Sequence, residues 1–114
     1  MPLHNIPECQ HAIVNSAAGG TLAIVSGVTA PKPQRVGIYR MILFVGAATT
    51  LTLQDTASNA LAAPWTFGAG GGSLVLDTPI NGDPWWQAGA GLGVQFSSTA
   101  AVQVSADIWY LQGP

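Results

Sequence analysis

Charged side chains are scarce in this chain of 114 residues: they make up 7% of it, against about 25% in an average globular protein. A free monomer ordinarily stays soluble through interspersed surface charge. Much of this surface must therefore be neutral or covered by other protein. Low charge combined with aromatic residues is typical of interface cores, so the composition favours a protein that assembles. The alternative is a stable, weakly charged secreted domain.

The few cationic residues and the single cysteine exclude several further kinds of partner and site. Three Lys and Arg residues cannot neutralise many phosphates, so we expect no nucleic-acid partner. Cys9 stands alone, which excludes an internal disulfide and a cysteine-based zinc site. The apolar runs 12–30 and 36–48 contain polar residues or Arg40 and lack a basic flank. We therefore expect no membrane or targeting segment.

Strong helix formers are also rare, while 14 Gly and 8 Pro residues interrupt most windows of helical length. Short β-branched and apolar runs recur between Gly, Pro, Asn and Asp clusters, which is typical of all-β proteins. The candidate strands are residues 11–16, 21–26, 35–46, 49–54, 61–67, 73–77, 85–87, 91–97 and 102–111. The pattern predicts an antiparallel, jelly-roll-like β-sandwich of about eight strands, with one domain over residues 11–114 and an extended arm over residues 1–10.

The segment 35–46 differs from the others because it is apolar on both faces. Under strict alternation one set, interrupted only by Arg40, comprises Val36, Ile38, Ile42 and Phe44. The opposite, outward set comprises Tyr39, Met41, Leu43 and Val45. A strand that is apolar on both faces is usually buried on both. Either a loop or, as we prefer, another subunit covers its outer face.

No arrangement of residues predicts an enzyme. Asp77 and Asp83 flank one turn and could approach each other as a catalytic or calcium-binding pair, but Asp is a routine turn former. The glycine-rich stretch 68–72 lacks the lysine and the helix of a phosphate-binding loop. We expect neither catalysis nor a cofactor.

Three potential metal ligands lie near the start of the chain, at His4, Cys9 and His11. Zinc sites generally need four ligands, and the sequence holds no other Cys or His. We therefore expect no metal, although a site shared between subunits is conceivable.

The adjacent residues Trp85 and Trp86 follow Pro84 at a loop-to-strand junction. Neighbouring residues of an extended chain point in opposite directions, so one indole faces the core and the other faces outward. An outward indole can stack on a sugar or fill a pocket of a protein partner. Equally, neighbouring loops could cover both.

From about residue 36 onward the chain resembles the capsid decoration, or cement, proteins of tailed bacteriophages and related head and tail proteins. The resemblance rests on a long apolar strand, ATTLTLQD at 48–55, LAAP at 61–64, the glycine-rich stretch 68–72, PWW at 84–86, GLGV at 91–94, and AAVQVS at 100–105 before a last strand ending in Trp109 and Tyr110. It implies a jelly-roll-like sandwich that forms a homodimer or homotrimer on the outside of an icosahedral capsid. It carries no catalytic motif.

Two sets of contacts follow as expectations. The oligomer interface is predicted on the outer face of segment 35–46 and at the tryptophan pair: Tyr39, Met41, Leu43, Trp85 and Trp86. The arm, rich in proline and without periodicity, is predicted to contact the major capsid protein through Pro2, Leu3, His4, Ile6 and Pro7. The alternative function is a carbohydrate- or receptor-binding module of a phage tail or fibre, using Trp85, Trp86 and Asp83.

Overall fold

The computed structural model describes residues 9–62, 64–77 and 82–113, and it confirms the all-β prediction. Within these residues the chain forms nine strands and no helix. The strands are β1 (Gln10–Ser16), β2 (Gly20–Val25), β3 (Arg35–Val45), β4 (Thr49–Asp55), β5 (Trp65–Phe67), β6 (Gly72–Leu76), β7 (Trp86–Gln87), β8 (Val94–Ser98) and β9 (Val104–Gly113). Each corresponds to one of the segments that the sequence pattern indicates.

The strands form two antiparallel sheets that pack face to face. Sheet I has the order β1-β9-β3-β6, with the short β7 paired to β3 beside β6. Sheet II has the order β2-β8-β4-β5. Apart from β7, this is a pair of interlocked four-stranded sheets, the arrangement of an eight-stranded jelly roll. The predicted sandwich and its jelly-roll character are therefore confirmed.

The core lies between the two sheets and follows the alternation of the strands. In β4, Leu51 and Leu53 are fully buried while Thr50 and Thr52 are half-buried on the other face. The fully buried side chains come from both sheets: Val36, Ile38, Met41, Leu43, Val45, Leu51, Leu53, Val94, Phe96, Val104 and Ile108. Burying such side chains contributes about 1.5–3 kcal/mol each, before the entropy of ordering the chain is subtracted.

A β-bulge in β3 corrects the assignment of its two faces. Ile38 pairs with Tyr110 and Arg40 pairs with Trp109, so that Tyr39 is an extra residue without a place in the pairing. One extra residue moves every later side chain to the other face of the sheet. Residues 41, 43 and 45 therefore face the core, and Phe44 points outward with 55% of its surface exposed.

Two of the predicted oligomer contacts are consequently wrong. Met41 and Leu43 are fully buried in the core between the sheets and cannot face another subunit. The physical reason lies in Arg40, because unbroken alternation from Val36 would have pointed its guanidinium into the core. The bulge keeps that charge outside, where its side chain is 30% exposed.

The turn after β4 is held by a buried carboxylate. Asp55 is 4% exposed, and its Oδ1 accepts hydrogen bonds from the backbone amides of Ala57 and Asn59, both at 2.9 Å. The Asn59 side chain donates to Oδ2 at 3.1 Å. Burial by itself raises the pKa of Asp55, but the hydrogen bonds outweigh burial and leave its pKa below the ordinary value of 3.8.

Candidate interaction surface

The outer face of sheet I carries a group of exposed apolar side chains. The pairing register aligns Ile13 with Asp107, Asp107 with Ile42, and Ile42 with Val75, which makes one row across four strands. Phe44 lies one step further along β3, beside Ser105 and Ser73. We name Ile13, Ile42, Phe44 and Val75 the apolar patch.

The apolar patch is open to solvent. Ile13 is 68% exposed, Val75 is 60% exposed and Phe44 is 55% exposed, while Ile42 is half-buried. Across the described ranges, no loop shields these side chains from solvent. Ile42, Phe44 and Val75 are neighbours in the register, whereas Asp107 lies between Ile42 and Ile13. Exposed apolar patches that are bordered by polar residues mark protein–protein contact sites.

A shallow depression of about 270 Å³ runs through this patch. It lies above β9, whose outward side chains Ser105 and Asp107 are short, and it is flanked by Ile13 on one side and by Ile42 and Phe44 on the other. Its volume is below the range of about 300–1,000 Å³ that is usual for small-molecule pockets. The depression therefore suits an apolar side chain of a protein partner better than a metabolite.

A row of polar and aromatic side chains borders the apolar patch on one side. The His11 ring stacks on the Trp109 ring with centroids 4.7 Å apart, and Cζ of Arg40 lies 4.7 Å from the Trp109 centroid. Because β9 runs between β1 and β3, these two side chains cover opposite faces of the indole. The ring of Trp109 is thus held in place and is closed to a stacking ligand.

The charges of this border are paired locally. His11 Nε2 lies 2.9 Å from Asp107 Oδ1, and Arg40 Nε lies 3.5 Å from Asp77 Oδ1. The second contact is within ion-pair distance, but Arg40 Nε makes no hydrogen bond although it is buried. With Asp77 84% exposed, we assign this pair little stability. The face contains both signs of charge and has no strong field of either sign.

The outer face of sheet II differs sharply from that of sheet I. The register there aligns Thr21 with Ser97 and Ser97 with Thr52, and Thr50 pairs with Thr66. These outward side chains carry hydroxyl groups, and the next row is formed by Ala23, Gln95 and Gln54. Among the described residues, the large apolar side chains exposed on a broad face of the sandwich therefore lie on sheet I.

The tryptophan pair divides as the alternation predicts. Trp86 packs against the core and meets Trp65 of sheet II edge to face, with 5.8 Å between ring centroids. Trp85 is 46% exposed, and its Nε1 donates a 2.6 Å hydrogen bond to the carbonyl oxygen of Asp77. Trp85 is therefore the member of the pair that can reach a partner.

The remaining predicted site residues lie apart from the apolar patch. Tyr39 is half-buried at the bulge and lines a second depression at the far end of the face, with Gln87 and Leu111 among its neighbours. Burial raises the pKa of the Tyr39 phenol, and Cys9 and Asp83 add to the rise. The predicted capsid contacts Pro2, Leu3, His4, Ile6 and Pro7 lie outside the described residues.

Sequence reasoning missed the members of the apolar patch. Ile13 and Val75 lie in correctly placed strands, but nothing in the sequence marks them as neighbours, and strict alternation places Ile42 and Phe44 on the face opposite the outward set. Arg40 is the signal that could have identified them. A charged residue within an apolar alternating set indicates a bulge, after which the side chains exchange faces of the sheet.

Within residues 9–62, 64–77 and 82–113, no three His, Cys, Asp or Glu side chains form a group that could hold a metal ion. The same ranges contain no helix of the length and hydropathy needed to cross a membrane. Comparison with known protein families, with curated proteins and with solved structures finds no match to this chain.

Proposed function

We propose that this chain is a structural virion protein, a capsid decoration protein that associates with itself and with the major capsid protein on the outer surface of a tailed-bacteriophage shell. The observation that carries the proposal is the apolar patch, which lies on the outer face of sheet I, while the outer face of sheet II carries mainly hydroxyl and carboxamide groups. The scarcity of charge and the resemblance of residues 36–114 to decoration proteins support it further.

Attachment in many copies suits a face of this kind. The apolar patch has only four side chains, and one of them, Ile42, is half-buried. Many copies on one shell present such contacts together, and linked contacts strengthen one another through multivalency.

The test is binding to phage particles prepared without this protein. Purified chain is sedimented with the particles, and the bound fraction is measured against concentration. We expect saturable binding by the wild type and a loss of at least about tenfold in affinity for Phe44→Asp, since apolar anchors at interface centres contribute about 2 kcal/mol or more. Thr66→Asp, on the opposite face, is the matched control and should bind as the wild type does.

Two outcomes oppose the proposal. One is a wild type that leaves the particles undecorated at every concentration, and the other is equal binding by Phe44→Asp and Thr66→Asp. The first result removes the capsid as partner, and the second removes the apolar patch as the binding surface.

One observation favours a second candidate, a carbohydrate- or receptor-binding module of a phage tail or fibre. The indole of Trp85 is 46% exposed and is oriented by its hydrogen bond to Asp77, as a sugar-stacking platform requires. A glycan array with the wild type and Trp85→Ala separates the candidates. Glycan binding that disappears in Trp85→Ala favours the module, and an array without signal favours the decoration protein.

A further inference from the structure

We propose that two copies of this chain join through their β1 strands. The two β1 strands pair antiparallel around Ile13, so that sheet I of one copy continues into sheet I of the other. This inference rests on the proposed function in one respect: it names the strand through which the chain associates with itself. It rests on the edge of sheet I and does not depend on the capsid.

The argument begins with the sheet edges. Exposed edge strands invite pairing with another chain, and proteins block them with short length, proline, lysine, bulges or charge. β5 has three residues and follows Pro64, β7 has two residues and follows Pro84, and β2 contains a register shift between Ala23 and Val25. β6 is short, with five residues. Each of these edge strands is therefore unfavourable for pairing with a strand of another chain.

β1 has none of these features. Its seven residues pair with β9 over their whole length without a register shift, and they include no proline, lysine, aspartate or glutamate. Within the described part of the chain, β1 has β9 as its one hydrogen-bonded neighbour, although β2 of the other sheet also approaches it. At its centre Ile13 is 68% exposed. Among the described residues, β1 is therefore a regularly paired edge without acidic residues or lysine, and it has no hydrogen-bonded strand on its second side.

The sequence of β1 is complementary to itself in one register. If Ile13 faces Ile13 of the second copy, all seven residues pair, His11 lies opposite Asn15, and Ala12 lies opposite Val14. Outward residues then meet outward residues and core-facing residues meet core-facing ones, as a continuous sheet requires. A slip of one residue would place the exposed Ile13 beside a core-facing neighbour.

The side chains that meet in this register suit one another. Two isoleucines cover each other at the centre, where cross-strand β-branched pairs stabilise sheets. An imidazole and a carboxamide, each with donors and acceptors, meet on either side. The nearest carboxylate on this face, Asp107, is already paired with His11 of its own chain at 2.9 Å. No like charges are brought together.

The symmetry of this dimer connects it to the proposed function. Its two-fold axis is perpendicular to sheet I, so the outer faces of both copies point the same way. The row of Val75, Ile42, Asp107 and Ile13 then continues into the second copy at Ile13. The dimer therefore presents two apolar patches to the same partner.

The experiment measures the mass of the purified protein in solution by sedimentation equilibrium, with circular dichroism as the check on folding. We expect the wild type at twice 11.7 kDa. Ile13→Lys should weaken the dimer at least about tenfold, because two like charges would face each other at the axis. Val75→Lys is the matched control: it lies on the same face with similar exposure, at the other side of the sheet, and should remain dimeric.

A mixing experiment tests the register itself. Ile13→Asp should also be monomeric alone, but an equimolar mixture of Ile13→Lys and Ile13→Asp should form heterodimers because opposite charges then meet at the axis. A monomeric or trimeric wild type, dissociation by Val75→Lys in place of Ile13→Lys, or a mixture that stays monomeric would each overturn the proposal. Since no capsid is present, these outcomes leave the decoration function to its own test.

Discussion

Arg40 stacks its guanidinium on the indole of Trp109, with 4.7 Å between Cζ and the ring centroid. Contacts of this kind contribute about 0.5–1 kcal/mol at partly exposed sites. Arg40→Ala should therefore lower the free energy of unfolding by about 1 kcal/mol, measured by urea denaturation. Asp77→Asn removes only the exposed ion-pair partner and should change it by less than about 0.5 kcal/mol. Equal effects of the two substitutions would show that the indole contact adds nothing.

Because of the bulge at Tyr39, we expect the same substitution at two adjacent residues to have different effects on folding. Leu43 is fully buried, so Leu43→Asp places an unpaired charge in the core and should cost about 4 kcal/mol or more, enough to unfold a domain of this size. Phe44 is 55% exposed, so Phe44→Asp should cost about 1 kcal/mol or less. Circular dichroism during urea denaturation measures both. If Leu43→Asp stayed folded and Phe44→Asp unfolded, the result would contradict the bulge and support unbroken alternation in β3.

The buried carboxylate of Asp55 should make stability depend on pH in the acid range. Because the pKa of Asp55 is lower in the folded state than its ordinary value of 3.8, the unfolded chain binds the proton more readily. The contribution of Asp55 is therefore fully present above about pH 5 and declines as the pH falls through its folded pKa.

Asp55→Asn should cost about 1–3 kcal/mol at neutral pH, since a neutral amide with one acceptor oxygen replaces a charged carboxylate that accepts through both oxygens. The same substitution should flatten the decline below about pH 5. Urea denaturation of both proteins between pH 7 and acid conditions measures the difference. If the stability of the variant fell with pH as steeply as that of the wild type, the acid dependence would come from other groups.

The strands could be predicted from the sequence because their signals are local. Alternation in β4 separates Leu51 and Leu53 from Thr50 and Thr52, and the Gly, Pro, Asn and Asp clusters delimit the short runs. The same locality explains the failure in β3. A bulge depends on how the strand pairs with β9, and the only local trace of it is the charge of Arg40 within an apolar set.

The sequence by itself determined that this chain is an all-β sandwich with little charge, since turn chemistry, alternation and composition are properties of neighbouring residues or of the whole count. Only the tertiary structure decided which apolar side chains are left outside. Ile13, Ile42 and Val75 come from three strands that are distant along the chain, and strand order and register bring them into one row. An interaction surface is a product of long-range pairing, and long-range pairing is what a local pattern does not contain.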